Sequence, residues 1–106
     1  MLFFLRFWRG MAESSFQKNL KEKLKKLFPG CYVFKTDALQ LQGVPDLLIL
    51  YKDKWAGLEC KAHKDAKHRP NQDYYVAQFD DQSFARFIYP ENEQEVLNEL
   101  SVYFSN

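Results

Sequence analysis

Gly43-Val44-Pro45-Asp46-Leu47-Leu48-Ile49-Leu50-Tyr51-Lys52-Asp53-Lys54-Trp55-Ala56-Gly57-Leu58-Glu59-Cys60-Lys61 reads as one β-hairpin. Leu47 to Tyr51 is an unbroken apolar run after a proline, which suits a strand buried on both faces. Residues 52–54 are polar, and Trp55 to Lys61 supplies the return strand. If Lys52-Asp53 is a two-residue turn, Tyr51 faces Lys54 and paired residue numbers sum to 105. Asp46 then lies opposite Glu59, and Lys61, two residues on, projects from the same face. Two opposed carboxylates beside so much apolar sequence repel each other. A divalent cation between them would turn that repulsion into a binding site, with hard oxygen donors suiting Mg²⁺ or Mn²⁺. Lys61 can polarise a water or neutralise charge developing on a phosphate. The plainer alternative is a surface hairpin whose acids point at solvent.

Outward from the hairpin, the flanking elements follow from period and punctuation. Phe16, Leu20, Leu24 and Leu27 recur at helical spacing over Ala12–Phe28, and Pro29-Gly30 ends that helix. The lysines at 18, 21, 23, 25 and 26 circle it, most of them facing solvent. Residues 31–36 read as a strand, and a loop runs from Asp37 to Gly43. After a polar, basic stretch over 62–69, Pro70 fits the first position of a helix carrying Tyr75, Val76 and Phe79 inward. Ser83 to Tyr89 reads as a strand. Pro90 opens a last helix with Val96, Leu97, Leu100 and Phe104 on its apolar face. The order αβββαβα predicts an α/β fold, a small mixed sheet flanked by helices.

Size and composition set bounds on this reading. One hundred and six residues make a single domain with one modest core. The apolar share of 46% and charged share of 27% belong to a globular chain, and no apolar stretch approaches the roughly 20 residues a membrane span needs. The net charge of +1 hides an asymmetry. Residues 1–72 carry 14 basic against 7 acidic side chains, and residues 73–106 carry 1 against 7. A polarised surface of that kind suits a polyanion on one side, although ordinary solvated helix faces give the same count. Cys31 and Cys60 both sit in apolar strand contexts, so free thiols in a reducing compartment are expected rather than a disulfide. Residues 1–10, rich in Leu and Phe, lack a signal-peptide pattern. They read as an N-terminal extension ahead of a domain at 11–106, Met11-Ala12-Glu13 making an ordinary start; otherwise they pack on the domain or on a second subunit.

Glu13, Gln17, Leu20 and Leu24 fall along one inward stripe of the first helix, where a carboxylate wants a metal or a donor. Ser14-x-x-Gln17 also reads as a capping box, which would leave Glu13 just outside the helix and make Gln17 simply the cap. Lys61, Lys64, Lys67, His68 and Arg69 concentrate positive charge after the return strand. They are placed to hold phosphates, or else form a solvated loop. His63 and His68 match no zinc spacing. Gln72 is either at the site or an exposed helix position.

Gly43-x-Pro-Asp46 followed by Glu59-Cys60-Lys61, its two acids thirteen positions apart, resembles the PD-(D/E)XK nuclease signature. With Glu13-Ser-Ser-Phe-Gln17 ahead, Ala62 after Lys61 and Gln72 beyond, the pattern is similar to that of a stand-alone VRR-NUC domain of the bacteriophage and bacterial type. The resemblance spans about residues 13–89. It implies a restriction-endonuclease-like αβββαβ core and Mg²⁺-dependent phosphodiester hydrolysis, with Mn²⁺ as a substitute. It further implies a cytoplasmic homodimer acting on branched DNA, four-way (Holliday) junctions above all, and leaving 5′-phosphate and 3′-hydroxyl ends. Asp46, Glu59, the Cys60 carbonyl and Glu13 would ligate metal. Lys61 would assist the attacking water, and Gln17, Lys64, Lys67, His68, Arg69 and Gln72 would meet DNA. Val76 stands where some relatives have a tyrosine, so Tyr75 is expected to be core. A nuclease of the same chemistry acting on flaps, nicks or duplex, and a non-catalytic DNA-binding module, are the other readings.

Overall fold

Leu20, Leu24 and Phe28 stand four apart and are all buried, which fixes the inward face of the first helix. The computed structural model describes residues 2–37 and 41–106, with side chains from Met11 onward. Helix α1 covers Leu2–Leu27, strand β1 Tyr32–Lys35, β2 Leu47–Tyr51, β3 Lys54–Cys60, helix α2 Gln72–Gln82, β4 Ala85–Ile88 and α3 Glu93–Ser105. This is the expected α/β order. The strands lie in the order β1-β2-β3-β4, antiparallel except for β4, which runs parallel to β3.

Strand β3 is central and is covered on both sides, so its Ala56-Gly57-Leu58-Glu59-Cys60 run is buried throughout. On one face Leu47, Ile49, Ala56, Leu58, Cys60 and Ile88 pack with Leu20 and Leu24 of α1, with Phe28 just after it, and with Val96, Leu97, Leu100 and Phe104 of α3. Each such side chain withdrawn from water contributes roughly 1.5–3 kcal/mol before entropy is counted. Helix α2 lies over β3 and β4, where Phe79 meets Trp55 edge-on at 5.5 Å. Gly57 allows that approach, since a Cβ there would sit 3.1 Å from Pro45 and 3.4 Å from Phe79.

Three boundaries differ from the sequence reading. Helix α1 already begins at Leu2, so Ser14 and Gln17 lie inside it and cap nothing. Gly10 weakens a helix by only about 1 kcal/mol, which its neighbours can offset. The expected packing of the residue 1–10 side chains lies outside the described residues, as does part of the 37–43 loop.

Helix α2 begins two residues after Pro70. Asn71 takes the left-handed conformation at φ 71°, and the Arg69 N–H donates to Gln72 Oε1 at 2.8 Å, so 69–72 is a turn. Helix α3 likewise starts at Glu93 rather than Pro90. The Asn92 side chain accepts from the Tyr89 N–H and donates to the Phe87 carbonyl, closing a turn around Pro90.

Gly43 has φ 99°, and a Cβ there would lie 2.7 Å from Asn71 Cβ and 2.8 Å from its carbonyl carbon. That contact presses the approach to Asp46 onto the start of α2. Gly43→Ala combines a positive-φ penalty with a clash against backbone. It should destabilise by about 2 kcal/mol or more, read as a melting temperature lower by at least about 8 °C.

Candidate active site

The hairpin register is the expected one: Tyr51 pairs Lys54 and Leu47 pairs Leu58, around a turn in which Lys52 takes φ 58°. One step further, Asp46 comes level with Glu59. Asp46 is held from both sides. Its carbonyl accepts the Thr36 N–H at 2.8 Å, and its Oδ2 accepts the Cys60 N–H at 3.1 Å. The Thr36 hydroxyl donates to the Pro45 carbonyl at 2.8 Å, tying the end of β1 to the start of β2.

Glu59 is 1% exposed. Its Oε2 accepts from Gln72 Nε2 at 2.9 Å, with Lys61 Nζ 3.9 Å away. Its Oε1 is buried and receives no N–H donor among the described residues, so its hydrogen bond with Asp46 needs a proton on one of the two carboxyls. Lys61, 4% exposed, donates to Gln72 Oε1 at 2.7 Å and to the Lys67 carbonyl at 3.2 Å. The Gln72 amide therefore links the acid on β3 with the lysine two residues later. It is buried, holds those two groups in place, and lines a cavity beside Asp46.

Electrostatics follow from this burial. Loss of solvent pushes the Glu59 carboxyl up to about 8, and the Asp46 charge and hydrogen bond push the same way against Lys61. Burial and then Asp46 also raise Glu13, while Lys61, Arg69 and Lys35 oppose. The Cys60 thiol is raised by burial, then by Asp46 and Glu59. Its side chain belongs to the core, Gln17 hydrogen-bonds it, and both cysteines are free.

Glu13 is half-buried inside α1 and shares a cavity of about 390 Å³ with Gln17, Lys35, Asp46 and Arg69. A second cavity of about 430 Å³ opens on the other side of Asp46, against Gly43, Arg69 and Gln72. Among the described residues no three His, Cys, Asp or Glu side chains gather into a ready-made metal group; Glu13 faces the same cavity as Asp46 and interacts electrostatically with both Asp46 and Glu59. The pair itself fits a hard divalent cation. Two carboxylates meet where charge is costly, and one buried oxygen receives no N–H donor. Mg²⁺ commonly takes one or two carboxylates and completes its shell with other oxygens.

The basic stretch surrounds this centre unevenly. Lys67 lines a further cavity of about 230 Å³ together with Glu13 and His63. His68 stacks on Phe87 at 4.1 Å and holds Asp73 Oδ1 at 2.7 Å, so the loop is pinned to β4 and α2. Lys64 is exposed, its N–H donating to Glu91. Lys35 and Thr36, at the site's edge, were not singled out from sequence. The β1–β2 pairing would have found them, since its residue numbers sum to 82 and place Thr36 opposite Asp46. Compared with protein-family models, with curated proteins and with solved structures, the chain finds no match. No helix among the described residues is long and apolar enough to cross a membrane.

Proposed function

We propose that this chain is a small Mg²⁺-dependent DNA endonuclease of the PD-(D/E)XK type, similar to stand-alone VRR-NUC domains. The observation that carries the reading is the buried Glu59 carboxyl beside Asp46, with one oxygen receiving no N–H donor and the Lys61 ammonium 3.9 Å from the other. Order and spacing of Asp46, Glu59 and Lys61 support it, as does the α/β frame that presents them.

Asp46 and Glu59 would hold the metal, which when bound supplies charge to polarise a water and the phosphoryl oxygen. Lys61, fixed by Gln72 and the Lys67 carbonyl, places its ammonium where it can orient that water or offset charge on the phosphate. Lys67 and Arg69 line cavities around the acids and, with the exposed Lys64, would attract the DNA backbone. A homodimer would offer two sites to a near-symmetric four-way junction.

Cleavage of a four-way junction, a flap and a linear duplex by the wild type in Mg²⁺ tests the substrate. The junction should be cut fastest; equal rates on all three would remove the resolvase reading and leave a general nuclease. Gln72→Ala should lower the single-turnover rate by about 10- to 100-fold, because it frees the Lys61 ammonium and leaves Glu59 Oε2 without its donor. Rescue in Gln72→Glu is not expected, since a third acid cannot donate to Glu59.

A further inference from the structure

Two cations from distant parts of the chain meet at one cavity beside the acids. Lys35 is the last residue of β1, and Arg69 precedes α2. Both line the cavity of about 390 Å³ that Glu13 and Asp46 share, and both act on the Glu13 carboxyl electrostatically. Neither appears among the ion pairs of the described residues. Their placement is fixed by backbone. Lys35 pairs with Leu47 one residue from Asp46, and the Arg69 N–H is bonded to Gln72 Oε1.

Lys35 and Arg69 are the two cations in a lining that also holds Glu13, Asp37 and Asp46. An anion entering the cavity is drawn to those two cations, while a metal would go to the acids. We infer that Lys35 and Arg69 form a subsite for a DNA backbone phosphate adjacent to the one that is cut, which rests on the nuclease reading above. A duplex backbone spaces its phosphates regularly, so gripping the neighbour sets which phosphodiester faces Asp46 and Glu59. The subsite is sequence-blind, because it reads phosphate alone. Lys35 is a positioning residue in this scheme: it governs binding and placement.

The test compares wild type, Lys35→Gln, Lys35→Arg and Lys18→Gln, the last an exposed residue of α1 that lines none of the cavities named above. Each is measured on a labelled DNA duplex for KM and kcat in Mg²⁺, and for the salt dependence of binding in chelator. Lys35→Gln should raise KM about tenfold, as for loss of one charge-assisted contact, and leave kcat within about twofold. The slope of log K against log salt should fall by about one, and by about two when Arg69→Gln is added. Lys35→Arg should restore KM and slope, and Lys18→Gln should change neither. A wild-type KM and slope in Lys35→Gln, or an equal change in Lys18→Gln, overturns the subsite. If wild type binds DNA without cutting it, the nuclease reading fails while the slopes still decide the subsite. If it neither binds nor cuts, both fail.

Discussion

Asp46→Asn is expected to lower Mg²⁺-dependent DNA cleavage by on the order of a thousandfold without lowering the melting temperature. Asparagine keeps an oxygen for the Cys60 N–H, so the hydrogen bond at 3.1 Å survives. What disappears is a negative charge. That charge is half of the oxygen pair offered to a cation, and several kcal/mol of transition-state stabilisation go with it, which is the thousandfold. The folded protein loses a repulsion, since the Asp46 charge is a cause of the raised Glu59 pKa, and the asparagine amide can donate to Glu59 in place of the carboxyl–carboxyl hydrogen bond. Single-turnover cleavage and a thermal melt of the same preparation check both halves. Activity within about tenfold of wild type would remove Asp46 from the chemistry.

Glu59→Gln should behave in the same sense with a pH signature. A carboxyl whose pKa is raised in the folded state supports the fold fully below its ordinary value of 4.5, and that support is lost as pH rises through about 8. Metal-free wild type therefore weakens across that window, and Glu13, raised in the same direction, adds to the trend. Glutamine cannot ionise. Its oxygen can still accept from Gln72 Nε2, and its amide can donate toward Asp46. The two proteins should melt alike near pH 4, and Glu59→Gln should melt at least about 4 °C higher at pH 8 or above, corresponding to about 1 kcal/mol or more. Added Mg²⁺ at that pH should close the gap by raising wild type alone. Parallel melting curves at all pH values would show that Glu59 is not held under electrostatic strain.

The hairpin was legible because its evidence is local. An apolar run, a polar turn and a second run fix a register by arithmetic, and the pairs Tyr51–Lys54 and Leu47–Leu58 follow. Helices α2 and α3 were legible as apolar periodicity, their starts less so. Pro70 and Pro90 have the φ of a first helical residue, but side-chain bonds of Gln72 and Asn92 to nearby backbone held the chain in turns and delayed each helix. The early start of α1 overrode a capping box that was sound as local chemistry. A capping signal competes with continued helix, and nothing between Phe7 and Glu13 stops one.

At the site, Asp46, Glu59 and Lys61 were visible because strand alternation puts them on one face. Gln72 was ambiguous from sequence, since its contact with Glu59 joins two elements through the packing of α2 on β3. Lys35 was hidden for a similar reason: the loop after β1 does not fix how β1 pairs with β2. Glu13 was placed on the right face of α1 by periodicity, and it lines a cavity with Asp46.

Incubation of the wild-type protein with an end-labelled DNA four-way junction, in Mg²⁺ and in EDTA, tests the metal-dependent site most directly. A nuclease built on Asp46 and Glu59 predicts discrete products carrying 5′-phosphate and 3′-hydroxyl ends in Mg²⁺ and intact DNA in EDTA. Intact DNA in both Mg²⁺ and Mn²⁺, or cutting that persists in EDTA, would contradict it.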